Sequence, residues 1–309
     1  MAHHHFTPKV YYSAIGWHEP VLHIAPGDTV STTTVDAGGQ DAFGQQVTER
    51  GNPMTGPFYI EGAEEGDTLV VTLDKLYPNR SVGWTRGVIA PNVLDPGFVP
   101  QFDDEVELCE WRVDLDGGTV RLESPQTRLT GVELPLAPMV GCFGVAPPRR
   151  QSISTGTSST HGGNMDYRGF AQGAKVYFPV AAPGALFHIG DGHAIQGDGE
   201  IVGTGIEISF DVTFSVDLLK GKRIGWPRME NDEYIMAVGN ARPLDQCVQH
   251  ATTEMLHFLQ EDYGLDARTA HVLLGQCVEY DVGNVYDPAY TMVCKVAKSI
   301  LRQIGAEWQ

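Results

Sequence analysis

The sequence predicts a mainly β fold, sandwich-like or barrel-like, with a smaller C-terminal α/β portion. From Phe6 to about Leu219 the chain is rich in glycine, proline and short apolar runs and shows no convincing helical period. After the basic run that ends at Arg223, apolar residues recur at helical spacing. We therefore expect a β-rich domain over residues 1–220 that carries the functional site, and an α/β portion over residues 221–309 packed on it.

Short apolar stretches between turn signals predict the strands of the β-rich domain. They are Thr68 to Asp74, Val106 to Val113, Thr119 to Glu123 and Ala174 to Val180. The clearest strand is Ile206 to Asp217, where apolar residues alternate strictly with polar residues such as Glu207 and Ser209. A period of two predicts one buried and one solvated face. Several such strands at short spacing indicate a sandwich or a barrel.

The C-terminal portion predicts one short strand followed by three helices. The strand runs from Glu233 to Val238, the first helix lies between Pro243 and Gly264, the second runs from Asp266 to about Gln276, and the third opens at Asp287 and extends to Ile304. Proline in the first turn and glycine just past the end are typical of helix boundaries. On this pattern the C-terminal portion contributes packing rather than chemistry.

Composition excludes several classes of partner and places the chain among globular proteins. There are 21 basic and 39 acidic residues, a formal net charge of -18, so phosphate backbones and anionic lipids would be repelled. The five cysteines form no C-x-x-C pair, which argues against a thiolate zinc site and a disulfide framework. With no signal peptide and no apolar segment of membrane-spanning length, we expect a cytoplasmic protein without nucleic-acid or membrane partners.

The stretch from Ala185 to Glu200, A-L-F-H-I-G-D-G-H-A-I-Q-G-D-G-E, concentrates candidate metal ligands. We expect its apolar start to end in a glycine-separated loop that carries Asp191, His193 and Glu200. Carboxylates and imidazoles without thiols suit zinc or a harder divalent cation. A solvated acidic turn with an ordinary histidine is the alternative, but so much charge in one place favours a metal. His188, earlier in the stretch, would face the core or a neighbouring strand.

A second polar stretch, Ser152 to Tyr167, offers groups for proton transfer and substrate binding. His161 and Asp166 flank a Gly-Gly-Asn turn, where Asp166 could orient the imidazole. The hydroxyls of Ser158 and Ser159 and the amide of Asn164 could donate hydrogen bonds to a substrate oxygen. A flexible polar loop without a catalytic role is the alternative for the serines and threonines.

Two isolated carboxylates are further candidates. Asp36 lies beside two glycines in T-V-D-A-G-G-Q, where it is either a metal ligand or a turn aspartate. Glu133 enters an otherwise apolar run, G-V-E-L-P-L-A-P-M-V-G. Burial there would raise the pKa of Glu133 toward that of a useful proton carrier, whereas a strand-edge glutamate would stay ordinary.

Four collinear segments resemble the acetamidase/formamidase family. They are G-P-F-Y-I-E-G-A-E-E-G-D-T-L-V-V, L-P-L-A-P-M-V-G-C-F-G-V-A-P, H-G-G-N-M-D and G-D-G-H-A-I-Q-G-D-G-E, which begin at residues 56, 134, 161 and 190. The resemblance implies a metal-dependent hydrolase of short amides, a mainly β architecture and homodimeric or higher homo-oligomeric assembly. Cys142 and Phe143 stand where the family pattern leads us to expect aliphatic residues, so the substrate pocket could differ.

The residues and the resemblance together predict a mechanism. A divalent metal, for which zinc is favoured over calcium, would be held by His193 and Asp191 with Glu200 or Asp36 and would activate a water. His161 would pass a proton to the departing amine, or Glu133 would serve as the base.

We expect a short, neutral amide such as acetamide or formamide as the substrate. The alternatives are a γ-lactam hydrolase of the same family and a non-catalytic β-sandwich that binds calcium or a carbohydrate. Histidine-bound zinc would favour the hydrolase, whereas calcium without turnover would favour the binding protein.

Overall fold

A computed structural model describes residues 1–98 and 108–308. In chain order, its first strands are β1 (His3–His5), β2 (Ala14–Gly16), β3 (Leu22–Ile24), β4 (Thr29–Thr33), β5 (Thr55–Ile60), β6 (Thr68–Pro78), β7 (Val82–Thr85), β8 (Cys109–Asp114), β9 (Thr119–Ser124) and β10 (Leu134–Pro135). The next are β11 (Met139–Gly144), β12 (Ser152–Ser154), β13 (Ser158–Ser159), β14 (Gly162–Asn164), β15 (Lys175–Pro179), β16 (Phe187–His193) and β17 (Phe210–Leu219). The last elements are β18 (Arg228–Glu230), β19 (Tyr234–Ala241), α1 (Leu244–Glu261), α2 (Ala267–Cys277), β20 (Glu279–Asn284), β21 (Tyr290–Ala297) and α3 (Lys298–Gln303).

Two large sheets face each other and enclose the main core. One has the order β1-β4-β17-β6-β15-β18-β19-β21-β20 and the other the order β13-β14-β11-β16-β5-β3. Aromatic rings from opposite sheets meet between them, with Phe214 of β17 centred 5.2 Å from both Phe58 of β5 and Phe187 of β16. The predicted fold class, mainly β with a smaller C-terminal α/β portion, is therefore confirmed.

The outer elements complete the architecture. The strands β10-β9-β8-β7 form a smaller sheet, and β12 pairs with β2. Along β19, Met236 and Val238 face the sandwich core, whereas Ile235 and Ala237 pack against α1 and α2. The helices thus cover the outer face of the larger sheet, and among the described residues no helix is long and apolar enough to cross a membrane.

Of the three helices predicted from apolar spacing in the C-terminal portion, the structure contains the first two and only the end of the third. The first two helices are confirmed as α1 and α2, and the side chain of Asp266 caps α2 by accepting from Thr269 N–H. The predicted third helix is wrong over most of its length, because Tyr290–Ala297 forms β21 between β19 and β20 and only α3 is helical. Its apolar residues are buried at consecutive positions, which is typical of a central strand.

The predicted strands of the β-rich part are found with shifted ends. β6, β8, β9 and β15 occupy the four predicted stretches, although Val106 and Glu107 lie outside the described residues. The alternating strand begins at Phe210 rather than Ile206, and its expected solvated residues Glu207 and Ser209 are buried. The division at residue 220 stays a prediction; strands from both sides of it share the larger sheet.

Candidate active site

Strand β16 carries two site residues, Asp191 and His193, where the sequence predicted a loop. Its partner β11 pairs Cys142 with Gly190 and Val140 with Gly192, which leaves Asp191 unmatched at a positive φ of 59°. Across from Asp191 lies Gly141, where a Cβ would stand 2.7 Å from Asp191 Oδ2 and 2.2 Å from Asp166 Oδ1. A glycine is therefore required at residue 141 to make room for the carboxylates.

The imidazole of His193 is oriented by Gln196. Nδ1 of His193 lies 2.9 Å from the amide oxygen of Gln196, whose amide nitrogen donates to the backbone carbonyl of Asp166. An amide oxygen only accepts hydrogen bonds, so Nδ1 of His193 carries a proton. The lone pair of a neutral imidazole then lies on Nε2, which is the arrangement of a metal-binding histidine.

Carboxylates converge on that nitrogen. Nε2 of His193 lies 2.9 Å from Glu207 Oε1 and 3.4 Å from Asp191 Oδ1. It is buried and nevertheless makes no well-aligned hydrogen bond to any residue that the structure describes. Ligand atoms of His193, Glu200 and Glu207 lie within 4.8 Å of one another, as do those of Asp166, Asp191 and His193.

A second group of carboxylates adjoins the first and surrounds Asn284. Its amide nitrogen lies 2.7 Å from Asp166 Oδ2, 2.9 Å from Glu200 Oε2 and 2.9 Å from Asp287 Oδ2. Asn164 also donates to Asp287 Oδ2, at 2.5 Å. Oδ1 of Asp166 is buried and has no hydrogen-bond partner in the described part of the chain. This half of the site offers oxygen ligands alone, as hard cations prefer.

Burial and mutual repulsion shift the pKa values of this cluster. Burial, reinforced by neighbouring carboxylates, raises the pKa of Asp166 well above its usual value. Burial likewise raises the pKa of Asp287 to about 6 and that of Glu207 to about 7. Burial opposes protonation of His193, but Glu207 and Asp191 outweigh it and raise the pKa of His193. Five carboxylates share the site with one imidazole, so a divalent cation would relieve their repulsion.

The cluster forms the buried end of a cavity of about 410 Å³. Asp191, Glu200, Glu207 and Asp287 all line it. The ring of Trp84 and the ring of Tyr286 belong to its walls. A cavity of this volume is of the size that small-molecule ligands occupy. The residues present therefore fit both a divalent cation and an organic substrate beside it.

The family profile for acetamidases and formamidases matches residues 14–154 and 149–300. The chain belongs to the acetamidase/formamidase family. The crystal structure of an acetamidase from Yersinia enterocolitica is similar, with a TM-score of 0.83 and 33% identity over 97% of this chain and 93% of that one.

Two curated relatives carry the family's names. A putative formamidase of Schizosaccharomyces pombe is 26% identical over 279 residues, and an acetamidase of Mycolicibacterium smegmatis is 29% identical over 223 residues. The alignments cover 69% and 54% of this chain and 67% and 53% of the relatives, so the chain spans about half to two thirds of their length. The predicted enzyme class, an amidohydrolase acting on linear amides, agrees with these names.

Of the four predicted metal ligands, the structure brings together Asp191, His193 and Glu200 but not Asp36. The carboxylate of Asp36 is fully buried and bonded to Arg80, to Trp84 Nε1 at 2.9 Å and to the N–H of Gln40 at 2.8 Å. Asp36 therefore supports the wall that carries Trp84, and it belongs to none of the ligand groups of the described chain. Its assignment as a ligand is corrected, because its oxygens are already used.

The predicted relay of His161 and Asp166 does not form, because Asp166 bonds Asn284 instead. Both ring nitrogens of His161 are buried without a hydrogen-bond partner among the described residues, and burial lowers its pKa to about 4. Asp166 joins the carboxylate cluster instead of orienting the imidazole. His161 lies outside the cavity lining and is closer in character to a packed core histidine.

Of the remaining predicted site residues, only one lines the cavity that holds the carboxylates. Asn164 lines the cavity and bonds Asp287, so its placement suits a role toward a substrate. Ser158 and Ser159 form β13 and do not line the cavity, which removes them from the predicted oxyanion site. Glu133 is exposed and borders a different cavity beside Arg112 and Arg121, so the burial considered for it is not found.

Sequence reasoning missed Glu207, Asp287, Asn284 and the orienting role of Gln196. Glu207 was taken for a solvated strand residue because it occupies a polar position of an alternating pattern. The sequence predicts Asp287 as the start of a helix, whereas it lies in a turn in which its own N–H and that of Tyr286 donate to Asn284 Oδ1. The sequence does offer one indication for Gln196, because this residue lies in the segment beginning at Gly190 that resembles the acetamidase/formamidase family.

Proposed function

We propose that the protein hydrolyses a short linear amide, of the acetamide or formamide type, to a carboxylate and ammonia with the help of a divalent metal. The observation that carries this proposal is the buried Nε2 of His193, which faces two carboxylates but makes no well-aligned hydrogen bond within the described part of the chain. Membership of the acetamidase/formamidase family supports the amide as substrate class. His193, Asp191 and Glu207, with Glu200, would hold the metal.

A divalent metal would polarise the amide carbonyl and lower the pKa of a bound water to about 7. Imidazole in the ligand set favours zinc, while the oxygen ligands around Asn284 would also accept calcium. Gln196 would hold the His193 ring in place during turnover, since its own amide is fixed by the Asp166 carbonyl.

Asp287 is the carboxylate best placed to carry the proton. It lines the cavity, and burial raises its pKa to about 6, which suits a group that accepts and returns a proton near neutral pH. Its Oδ2 accepts from Asn164 and Asn284, so its orientation is fixed before the substrate arrives. It would take a proton from the attacking water and return it to the leaving amine.

The test combines metal analysis with a screen of ammonia release. We expect the purified protein to contain zinc or another divalent ion and to turn over formamide or acetamide faster than peptides. Removal of the metal with a strong chelator should abolish turnover, and addition of the metal should restore it. Full activity in metal-free protein would contradict the proposal, and calcium without turnover would indicate a binding protein. Preference for 2-pyrrolidinone would reassign the substrate to γ-lactams.

A pair of variants in the same assay tests the proton carrier. Asp287→Asn should keep its metal and lose a factor of about 10² to 10⁴ in kcat. Asp198→Asn is the matched control, because Asp198 pairs with Arg168 at an exposed position outside the cluster. Equal kcat in the two variants would remove Asp287 from the mechanism. Homo-oligomeric assembly and a cytoplasmic location remain predictions.

A further inference from the structure

Two arginines stand at the solvent end of the cavity whose buried end holds the carboxylates. Arg50 and Arg86 both line the cavity, and both are exposed. The carboxylates at the other end are buried, with 3% of Asp191 and 2% of Glu207 exposed. The cavity is therefore anionic at its buried end and cationic at its mouth, in a chain whose net charge is -18.

Arg86 is held toward the cavity by its neighbours. Its backbone N–H donates to Thr204 Oγ1 at 2.9 Å, and its guanidinium lies 5.3 Å from the centre of the Tyr286 ring while donating to the Tyr286 hydroxyl. Tyr286 in turn donates its N–H to Asn284 Oδ1 at 2.8 Å, in the turn that also supplies Asp287. One wall thus connects the arginine at the mouth to the carboxylates at the buried end.

Arg50 lines the same cavity from a different segment of the chain. Two residues further along, Asn52 lines the cavity and donates to Asn164 Oδ1 at 2.8 Å, and the carbonyl of Gly51 accepts from Thr155 Oγ1 at 3.0 Å. The backbone beside Arg50 is therefore anchored to the site. Within the described ranges, neither Arg50 nor Arg86 forms an ion pair with a carboxylate, whereas Arg80, Arg168 and Arg228 all do.

The cavity is larger than a very short amide needs, and its lining runs from the buried carboxylates to the exposed arginines. Trp84 N–H bonds the Glu207 carbonyl at 3.2 Å, and Arg86 follows two residues later, just past the end of β7. A volume of about 410 Å³ also greatly exceeds the roughly 30 Å³ that one water occupies in the liquid.

We propose that the cavity accepts amides whose acyl chain ends in a carboxylate. The amide group would lie at the buried carboxylate cluster, the methylene groups beside Trp84 and Tyr286, and the terminal carboxylate against Arg86 and Arg50. The planar guanidinium suits this ligand because two of its N–H groups match the two oxygens of a carboxylate. This inference rests on the proposed function, and it replaces the neutral amide that the sequence predicts as the substrate.

Kinetics of the metal-loaded protein on matched substrates test the proposal. Succinamate and butyramide have the same chain length and differ by a carboxylate in place of a methyl group. We expect kcat/KM to be at least about tenfold higher for succinamate, through a lower KM, and the difference to shrink at high salt. Arg86→Gln and Arg50→Gln should each remove most of the preference, while Arg86→Lys should keep part of it.

Arg302→Gln is the matched control, since it removes one exposed positive charge from α3, which contributes no residue to the cavity lining. It should leave the succinamate preference unchanged. Equal kcat/KM for butyramide and succinamate in the wild-type protein would overturn the proposal, as would equal losses in Arg302→Gln and Arg86→Gln.

A binding measurement separates failure of this inference from failure of the proposed function. Titration calorimetry with succinate needs no turnover, and we expect Arg86→Gln to weaken succinate binding by about tenfold or more. If no amide is hydrolysed but succinate binding depends on Arg86, the proposed function fails and the carboxylate site stands. If acetamide is hydrolysed but succinate binding is the same in both proteins, the proposed function stands and the carboxylate site is excluded.

Discussion

At the scale of single residues, His188 and His193 of β16 lie on one strand and have opposite environments. His193 faces Glu207 and Asp191, whereas Nδ1 of His188 lies 3.0 Å from the backbone carbonyl of Leu186. The ring of His188 packs edge-on against His18, with ring centres 5.7 Å apart. The first environment attracts a cation and the second contains no carboxylate partner among the residues described.

Substitution of each histidine should therefore have a different consequence. His193→Ala should fold, lose most of its metal and lose turnover, because the variant lacks the imidazole ligand. His188→Ala should keep metal and measurable turnover at low temperature and mainly lower the melting temperature, because it leaves a cavity in the core. Measuring the metal content, turnover and melting temperature of both variants distinguishes a metal ligand from a core histidine. Retention of metal and rate by His193→Ala would show that the metal site lies elsewhere.

At the scale of secondary-structure elements, a buried ion-pair network joins α1 to the larger sheet. Arg228 of β18 is 2% exposed, and it bonds Glu254 Oε1 and Asp262 Oδ2, each at 2.6 Å. Its guanidinium also lies 4.8 Å from the ring centre of Phe258. The network fixes the position of the helix rather than contributing its full Coulomb energy, because burying the charges offsets most of the attraction.

Removing Arg228 should lower the free energy of unfolding more than removing one partner of an exposed ion pair would. Arg228→Met leaves Glu254 buried without its cation, so we expect the free energy of unfolding to fall by about 3–5 kcal/mol. Lys222, at 2.8 Å from Asp262, remains as a partner for that carboxylate and limits the loss. Denaturant titration measures the change, and the double variant Arg228→Met/Glu254→Met should recover part of it. Unchanged stability in the single variant would show that the network is dispensable.

Elements with long periodic patterns and clear caps were predictable, and those defined by tertiary pairing were not. α1 and α2 follow from apolar spacing between proline, glycine and a capping aspartate. β21 was mistaken for a helix because a strand buried on both faces lacks the alternation that identifies a half-exposed one. The same limit applies to the site: local glycine-rich strings indicated Asp191, His193 and Glu200. The contributions of Glu207 and Asp287 depend on contacts between distant segments.

At the scale of the whole molecule, the site draws on both parts of the chain. Asp166, Asp191, His193 and Glu200 come from the first part, and Asn284 and Asp287 come from the segment that the sequence assigned to packing. A bridge between Gly199 and Asn284, the last residue of β20, joins the two segments. Separating the two parts of the chain would therefore divide the cluster.

Buried histidines should make the stability of the whole fold depend on acidity. Burial lowers the pKa of His161 to about 4, and burial together with the charge of His18 lowers that of His188 to about 3. In the unfolded chain both titrate near pH 6.5. Between those values the unfolded state binds more protons than the folded state, so stability falls as the pH drops from about 6.5 to about 4. Together the two groups would account for several kcal/mol over that window.

A comparison of variants separates the acid sensitivity caused by the two buried histidines from that caused by the carboxylates of the site. We expect the double variant His161→Gln/His188→Gln to be less stable than the wild-type protein at pH 8. On acidification to about pH 4.5 the variant should lose less stability, so the difference in the free energy of unfolding between the two proteins should become smaller. Denaturant titrations at several pH values measure it. His257→Gln serves as the control, because it removes an imidazole from α1 of which 56% is exposed. Parallel profiles for the wild-type protein and the double variant would contradict burial of neutral imidazoles as the source of acid sensitivity.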